Sequence, residues 1–342
     1  MVELAGGGGY RYASASLHGP GLNPWDRHRW SGGSSSGSGS AVAAGLVPYA
    51  LGSETWGSII TPASYCGITG LRPTWGLVSR HGAMELAWSM DKVGPMARSA
   101  EDCGLVLQAI AGLDPSDFTT VEGGYVFKRL RWRRDFRLGV LPLDFGDVPG
   151  GAETAQAFEK ALRVLRRAGM DIARAKWPDY PFTDVARTIL GAEVAAAHGA
   201  FITSPRLKGL VDAGQRRGLK AYMKVTGAAY ASALQQRAAA TRAIRALFDR
   251  FDALVAPSLV GEATTLETNL SARPGRWRGT SVLGAVAGVP SLSLPMGFGP
   301  NGLPLGLSIT GDLFSERTIL GIGMVYQRET DWHHRRPPDD GF

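Results

Sequence analysis

Two serine–glycine runs carry the residues best suited to chemistry: GGSSSGSGSA at Gly32–Ala41 and GSETWGSIITPASYCGITGLRPT at Gly52–Thr74. A serine hydroxyl becomes a nucleophile once a base takes its proton, and glycine lets backbone N–H groups approach a carbonyl unobstructed. A nucleophile beside a row of amide donors for an oxyanion is what acyl transfer needs. No side chain stands out as the base. The six histidines (His18, His28, His81, His198, His333, His334) form no HExxH-like cluster, and Cys66 and Cys103 have no CxxC partner. Neither a metal nor an organic cofactor is implied. Gly33–Gly37 also fits G-x-S-x-G with Ser35 at its centre. That elbow needs a strand just before it, and the glycine-rich residues ahead of Gly33 predict none.

The elements that must hold these runs are legible from periodicity. Ser38–Gly52 reads as a short small-residue helix followed by an apolar strand, LVPYALG. Ser99–Gly112 reads as a helix with Ser99 as N-cap, burying Cys103, Leu105, Val106, Leu107 and Ile110. Phe136–Leu143 reads as a strand. Ala152–Ala168 is an amphipathic helix, with Phe158, Ala161, Leu162, Leu165 and Ala168 on one face and Glu159, Lys160, Arg163, Arg166 and Arg167 on the other. A strand over Met170–Ala175 follows. Helices are predicted over Thr183–Ala200 and Lys220–Phe251, the latter broken near Gly227. Strands are predicted at Ala253–Pro257, Ser291–Pro295 and Leu305–Thr310, with helices at Thr280–Ala287 and Ser315–Arg328. Strands alternating with helices predict an α/β fold with a buried sheet.

The chain has 342 residues, 44% hydrophobic and 20% charged, as ordinary globular proteins have. Its net charge of +7 is spread along the chain. The densest basic run, KRLRWRRDFR at Lys128–Arg137, reads as a solvated connection, so no nucleic-acid partner is expected. No eighteen-residue apolar run predicts a membrane span, and the start MVELAGGGGYRYAS is unlike a signal peptide. Two lone cysteines fit a reducing compartment, so the cytoplasm is the expected location.

Taken jointly, the two runs closely resemble the amidase signature family, whose hallmark is a GGSSGGS-like run, a GTDTGGSIR-P-like run and then GLKPT. The counterparts are GGSSSGS (Gly32–Ser38), GSETWGSIITP (Gly52–Pro62) and GLRPT (Gly70–Thr74). The likeness continues through GLVSRHGAM (Gly76–Met84), MDKVGPMARSAEDCGLVLQAIAG (Met90–Gly112) and DPSD (Asp114–Asp117), and returns in AGVPSLSLPMGFGPNGLPLGLSITG (Ala287–Gly311). It implies the amidase signature fold: α/β, a mixed central sheet covered by helices on both faces. One domain over residues 1–330 is implied, with a signature core at 30–117, a looser pocket region at 125–245, a C-terminal core at 250–330 and a polar tail at 331–342. The family's Ser–cisSer–Lys chemistry falls on Ser58 as nucleophile and Ser34 as bridging serine, 24 residues apart. By the same resemblance the amides of Thr55, Trp56, Gly57 and Ser58 form the oxyanion hole, and Ser35 supports the network. A small amide is the implied substrate, and a homodimer is possible on this reading.

Three departures bear on activity. None of the seven lysines, Lys92 among them, matches the family's lysine motif, which lies upstream of the bridging serine. The resemblance implies a fold that is N-terminally incomplete, lacking the base, with hydrolysis slow or absent in this form. Lys92, nearest in sequence, reads as a solvated loop residue. Trp56 replaces a glycine, and Ile60 stands where many members have arginine, which implies a more apolar acyl pocket. Besides a linear-amide hydrolase, the family allows a glutaminase subunit of an aminoacyl-tRNA amidotransferase. A non-catalytic remnant of an amidase is the third reading.

Overall fold

The computed structural model describes residues 9–122, 125, 127, 135–142, 148–271 and 280–338. The core of the basic run, 128–134, lies outside them, as do the ends of the chain at 1–8 and 339–342. In chain order the elements are β1 (Leu22–Asn23), β2 (Asp26–Trp30), α1 (Ser36–Ala43), β3 (Tyr49–Glu54), α2 (Ile60–Cys66), β4 (Thr69–Arg72), β5 (Lys92–Ala97) and α3 (Ala100–Ile110). Then follow β6 (Arg137–Val140), α4 (Gly151–Arg167), β7 (Asp171–Arg174), α5 (Phe182–Thr203), α6 (Ala213–Tyr222) and α7 (Gly227–Arg245). The last are β8 (Ala253–Pro257), α8 (Ser281–Ala287), β9 (Ser291–Phe298), β10 (Pro304–Thr310) and α9 (Glu316–Arg328).

Eight strands form one mixed sheet in the order β3-β5-β4-β9-β10-β8-β6-β7. The five pairings from β3 to β8 are antiparallel, and β8/β6 and β6/β7 are parallel. Strand β8 shows why helices cover both faces. Ala253 and Val255 pack with α3, α4 and α9, while Leu254 and Ala256 pack with α5, α7 and α8. A period of two with every residue apolar can be satisfied only by an oily layer on each side. Helix α5 is long and apolar enough by composition to cross a membrane, with mean hydropathy 1.2. Here it packs against α6, α7 and α8.

The amphipathic α4 falls where periodicity puts it, with Phe158, Ala161, Leu162 and Leu165 buried. The broken helix resolves into α6 and α7, with Thr226 capping α7 through the Ala229 N–H. Ser99 caps α3 as expected, but Leu105 points outward and is 54% exposed. Its helix lies on the sheet along a narrower stripe, Ala100, Cys103, Gly104 and Leu107. Ser315 precedes α9 without capping it; its Oγ donates to the Asp312 carbonyl at 2.6 Å. A strand does precede Gly33, contrary to expectation. It is β2, paired with β1 in a separate hairpin and bridged at Arg29 to Thr265, so Ser35 does not stand on an elbow of the main sheet.

Candidate active site

The second serine–glycine run is built as strand, turn and helix. Strand β3 ends at Glu54, residues 55–58 turn, and α2 begins at Ile60. Gly57 takes φ +90°, a left-handed conformation open mainly to glycine. Its carbonyl accepts from the Thr61 N–H at 2.8 Å, closing the turn. Ser58 is half-buried at the tip, beside half-buried Trp56 and buried Thr55.

The turn is fastened from beneath. Glu54 Oε2 accepts the N–H groups of Ile59 at 2.8 Å and Ile60 at 3.0 Å. Its other oxygen takes Arg72 Nη1 at 2.8 Å, with both side chains fully buried. Arg72 also donates to the carbonyls of Val289 at 3.2 Å and Ser281 at 3.4 Å. Burial pushes the Glu54 carboxyl up, but Arg72, and after it Lys92, outweigh this and hold it below the ordinary glutamate value.

The first run meets this turn through its backbone. The peptide bond between Gly33 and Ser34 is cis. The Ser35 N–H donates to the Ser58 carbonyl at 3.2 Å, which sets Ser34 and Ser58 on neighbouring segments. Ser35 itself is buried and tied to β3: its Oγ donates to the Ser53 carbonyl at 3.2 Å and accepts from the Ser53 N–H at 3.1 Å. The residues expected to share a site are thus brought together.

Two cavities flank the turn. One of about 420 Å³ is lined by Ser34, Ser53, Thr55, Asp91 and Lys92, with Met84, Trp88 and Phe118 among its outer walls. Asp91 joins its wall to the turn by accepting from the Thr55 hydroxyl and from the N–H groups of Leu86 at 2.7 Å and Ala87 at 2.9 Å. The other, of about 990 Å³, is lined by Trp56 together with Tyr65, Arg29, Arg187, Leu259 and Leu305. Trp56 is thus on the wall of this second cavity. Among the described residues no group of histidines, cysteines and carboxylates could hold a metal ion.

Lys92 corrects the sequence reading. It is the first residue of β5, only 2% exposed, and directly opposite Glu54 in the ladder. Its Nζ donates to the Gly284 carbonyl at 3.3 Å. The other described lysines, at 160, 176, 208, 220 and 224, are exposed. Burial, and then the charge of Arg72, lower its pKa to about 7, against the pull of Glu54 and Asp91. Glu54, Arg72 and Asp91 were not singled out from sequence either. Glu54 and Arg72 lie inside the quoted motifs, and a charged residue in an otherwise small and apolar run was the available signal.

A hydroxyl on a tight turn beside backbone amides can take up an acyl group. The chain belongs to the amidase family, which it matches over residues 7–320. It is 34% identical to a glutamyl-tRNA(Gln) amidotransferase subunit from Neisseria meningitidis, over 94% of this chain and 72% of that protein. The native peptide amidase from Stenotrophomonas maltophilia superposes with a TM-score of 0.82 at 31% identity, covering 98% of this chain and 74% of that one. The corresponding amidotransferase subunit from Thermotoga maritima gives 0.77 at 28% identity, covering 93% and 70%.

Proposed function

We propose that this amidase hydrolyses a linear carboxamide through an acyl-enzyme on Ser58. The carrying observation is the backbone bond from the Ser35 N–H to the Ser58 carbonyl, which docks the Ser34 segment onto the turn. Ser58 Oγ attacks the amide carbon and gives its proton to Ser34 Oγ, which hands its own proton to the amide nitrogen. The negative charge gathers on the carbonyl oxygen, where the amides of residues 55–58 receive it. The C–N bond then breaks, and the nitrogen, carrying the proton from Ser34, leaves as ammonia or an amine. Water repeats the attack on the ester and frees Ser58. No metal or organic group enters the sequence of steps. The acyl group would lie toward Trp56, whose indole favours apolar or aromatic amides.

The likeness to the tRNA-dependent amidotransferases supports a second reading, in which the released ammonia is passed to a partner protein. Trp56 and Ile60 weigh against it. A fluorophosphonate probe tests the first reading, because it labels only an activated serine. Labelling of wild type that is lost in Ser58→Ala and sharply slowed in Ser34→Ala is the expected result. Unchanged labelling of Ser58→Ala, or none of wild type, would overturn it. Co-purification of a stoichiometric partner with glutamine-dependent ammonia release would favour the second reading.

A further inference from the structure

Beneath the Ser58 turn lies a set of charges, three buried and two half-buried, from four elements and one loop. Glu54 closes β3, Arg72 closes β4, Lys92 opens β5, Arg237 lies on α7, and Asp91 sits in the loop before β5. The carbonyl of Gly284 on α8 completes the surroundings of Lys92. Each of the four other charged groups acts on the Lys92 ammonium: Arg72 and Arg237 oppose it, Glu54 and Asp91 favour it. Arg72 is already matched by Glu54 at 2.8 Å. Arg237 is turned away onto Ser89 and the Val286 carbonyl. Asp91 is occupied by Thr55 and two backbone amides. Arg237 is matched in turn by the buried Glu193, which favours its charge, so the groups about Lys92 balance only while the ammonium is present, and Lys92 is the member that can give up its charge near neutral pH.

Resting on the proposed acyl transfer at Ser58, we propose that Lys92 is a positioning residue whose ammonium supplies the positive charge that balances the carboxylates under the 55–58 turn. That charge acts through Glu54 and the turn it grips. The Ile59 and Ile60 amides stay fixed, and the field at the neighbouring amides favours the oxyanion. In a site with little water to screen it, such a charge is felt more strongly than at the surface. Burying the ammonium works against the fold, since desolvation is the largest influence on it. A destabilising group kept beside a reactive one is what a functional site shows.

The sign of the pH dependence separates this role from others. The ammonium is present below about pH 7 and lost above it. Lys92→Gln removes the charge but can still donate to the Gly284 carbonyl, and Lys92→Met removes both. Rates of fluorophosphonate labelling at Ser58 should be about fivefold lower in both variants at pH 6 and converge with wild type above pH 8. A deficit that is the same at every pH would show a packing role only. A deficit that grows with pH would mean that the neutral amine works as a base; either result overturns the proposal. Thermal unfolding supplies a readout independent of labelling. The unfolded lysine binds its proton more tightly than the folded one, so wild type should lose midpoint relative to Lys92→Gln as pH falls from 10 to 7. No such loss would also overturn the proposal. If wild type is not labelled at any pH, the acyl-enzyme reading fails and this inference with it. Labelled wild type with a pH-independent ratio refutes Lys92 alone.

Discussion

Replacing Glu54 by glutamine tests whether the buried carboxylate holds the Ser58 turn. The carboxylate accepts three hydrogen bonds, from the amides of Ile59 and Ile60 and from Arg72. Glutamine keeps one accepting oxygen and must turn its NH₂ toward a donor, either the guanidinium or the two amides. One side of the cluster is therefore left with donor against donor, and Arg72 is left buried without its partner. Removing one member of a buried ion pair costs about 3–5 kcal/mol, roughly a fifth or more of the stability of a typical domain. Urea unfolding measures this as a shift in midpoint at unchanged slope. Adding Arg72→Met removes the orphaned charge, so the double variant should lose at least about 2 kcal/mol less than the two single losses together. The acid limb carries the same signature. Because the folded carboxyl lies below the ordinary glutamate value, its contribution is present at neutral pH and lost as pH falls through that folded value. Glu54→Gln should lack that part of the acid dependence and label slowly at Ser58. A cost below about 1 kcal/mol, or strict additivity with Arg72→Met, would refute the reasoning.

Other substitutions probe the same frame. A Cβ at residue 284 would overlap the Arg72 guanidinium, so Gly284→Ala should lower stability by about 1–3 kcal/mol in a thermal melt, despite alanine's better helix propensity. Ser35→Ala leaves the Ser53 N–H without its acceptor and loosens the Ser34 segment; about 1–2 kcal/mol of stability and a slower labelling rate should go together. Trp56→Gly opens the cavity that the indole borders, and kcat/KM should shift toward bulkier acyl groups by about tenfold relative to small ones.

Local rules made much of the fold legible, and the places where they fell short share one cause. Helix α4 and strands β8 and β10 announce themselves because burial follows a fixed period within the segment or because the run is apolar and bounded by turns. Strands β4 and β5 do not: TGLR and KVGPMA begin or end on a buried charge, and each contains a glycine. Their residues are held by the neighbouring strands, Gly70 opposite Ser293 and Glu54 opposite Lys92, a pairing no local window contains. Helix α2 was hidden in the same way, being a short run whose first amides are satisfied by a carboxylate in the preceding strand rather than by a side-chain cap of its own.

The site divides along the same line. The candidates Ser34, Ser35 and Ser58 came from the likeness of two short contiguous runs to the amidase signature, a signal that a local window contains. Lys92 was misread as a solvated loop residue because a lysine beside an aspartate is usually on the surface. What makes it buried is Gly284, nearly two hundred residues away, which lies against the Arg72 guanidinium while its carbonyl receives the ammonium. A charge can stay in the interior only where other elements supply counter-charges and acceptors together. Its burial is therefore a property of the packed sheet and of α8, and the sequence around Lys92 holds only half of the interaction.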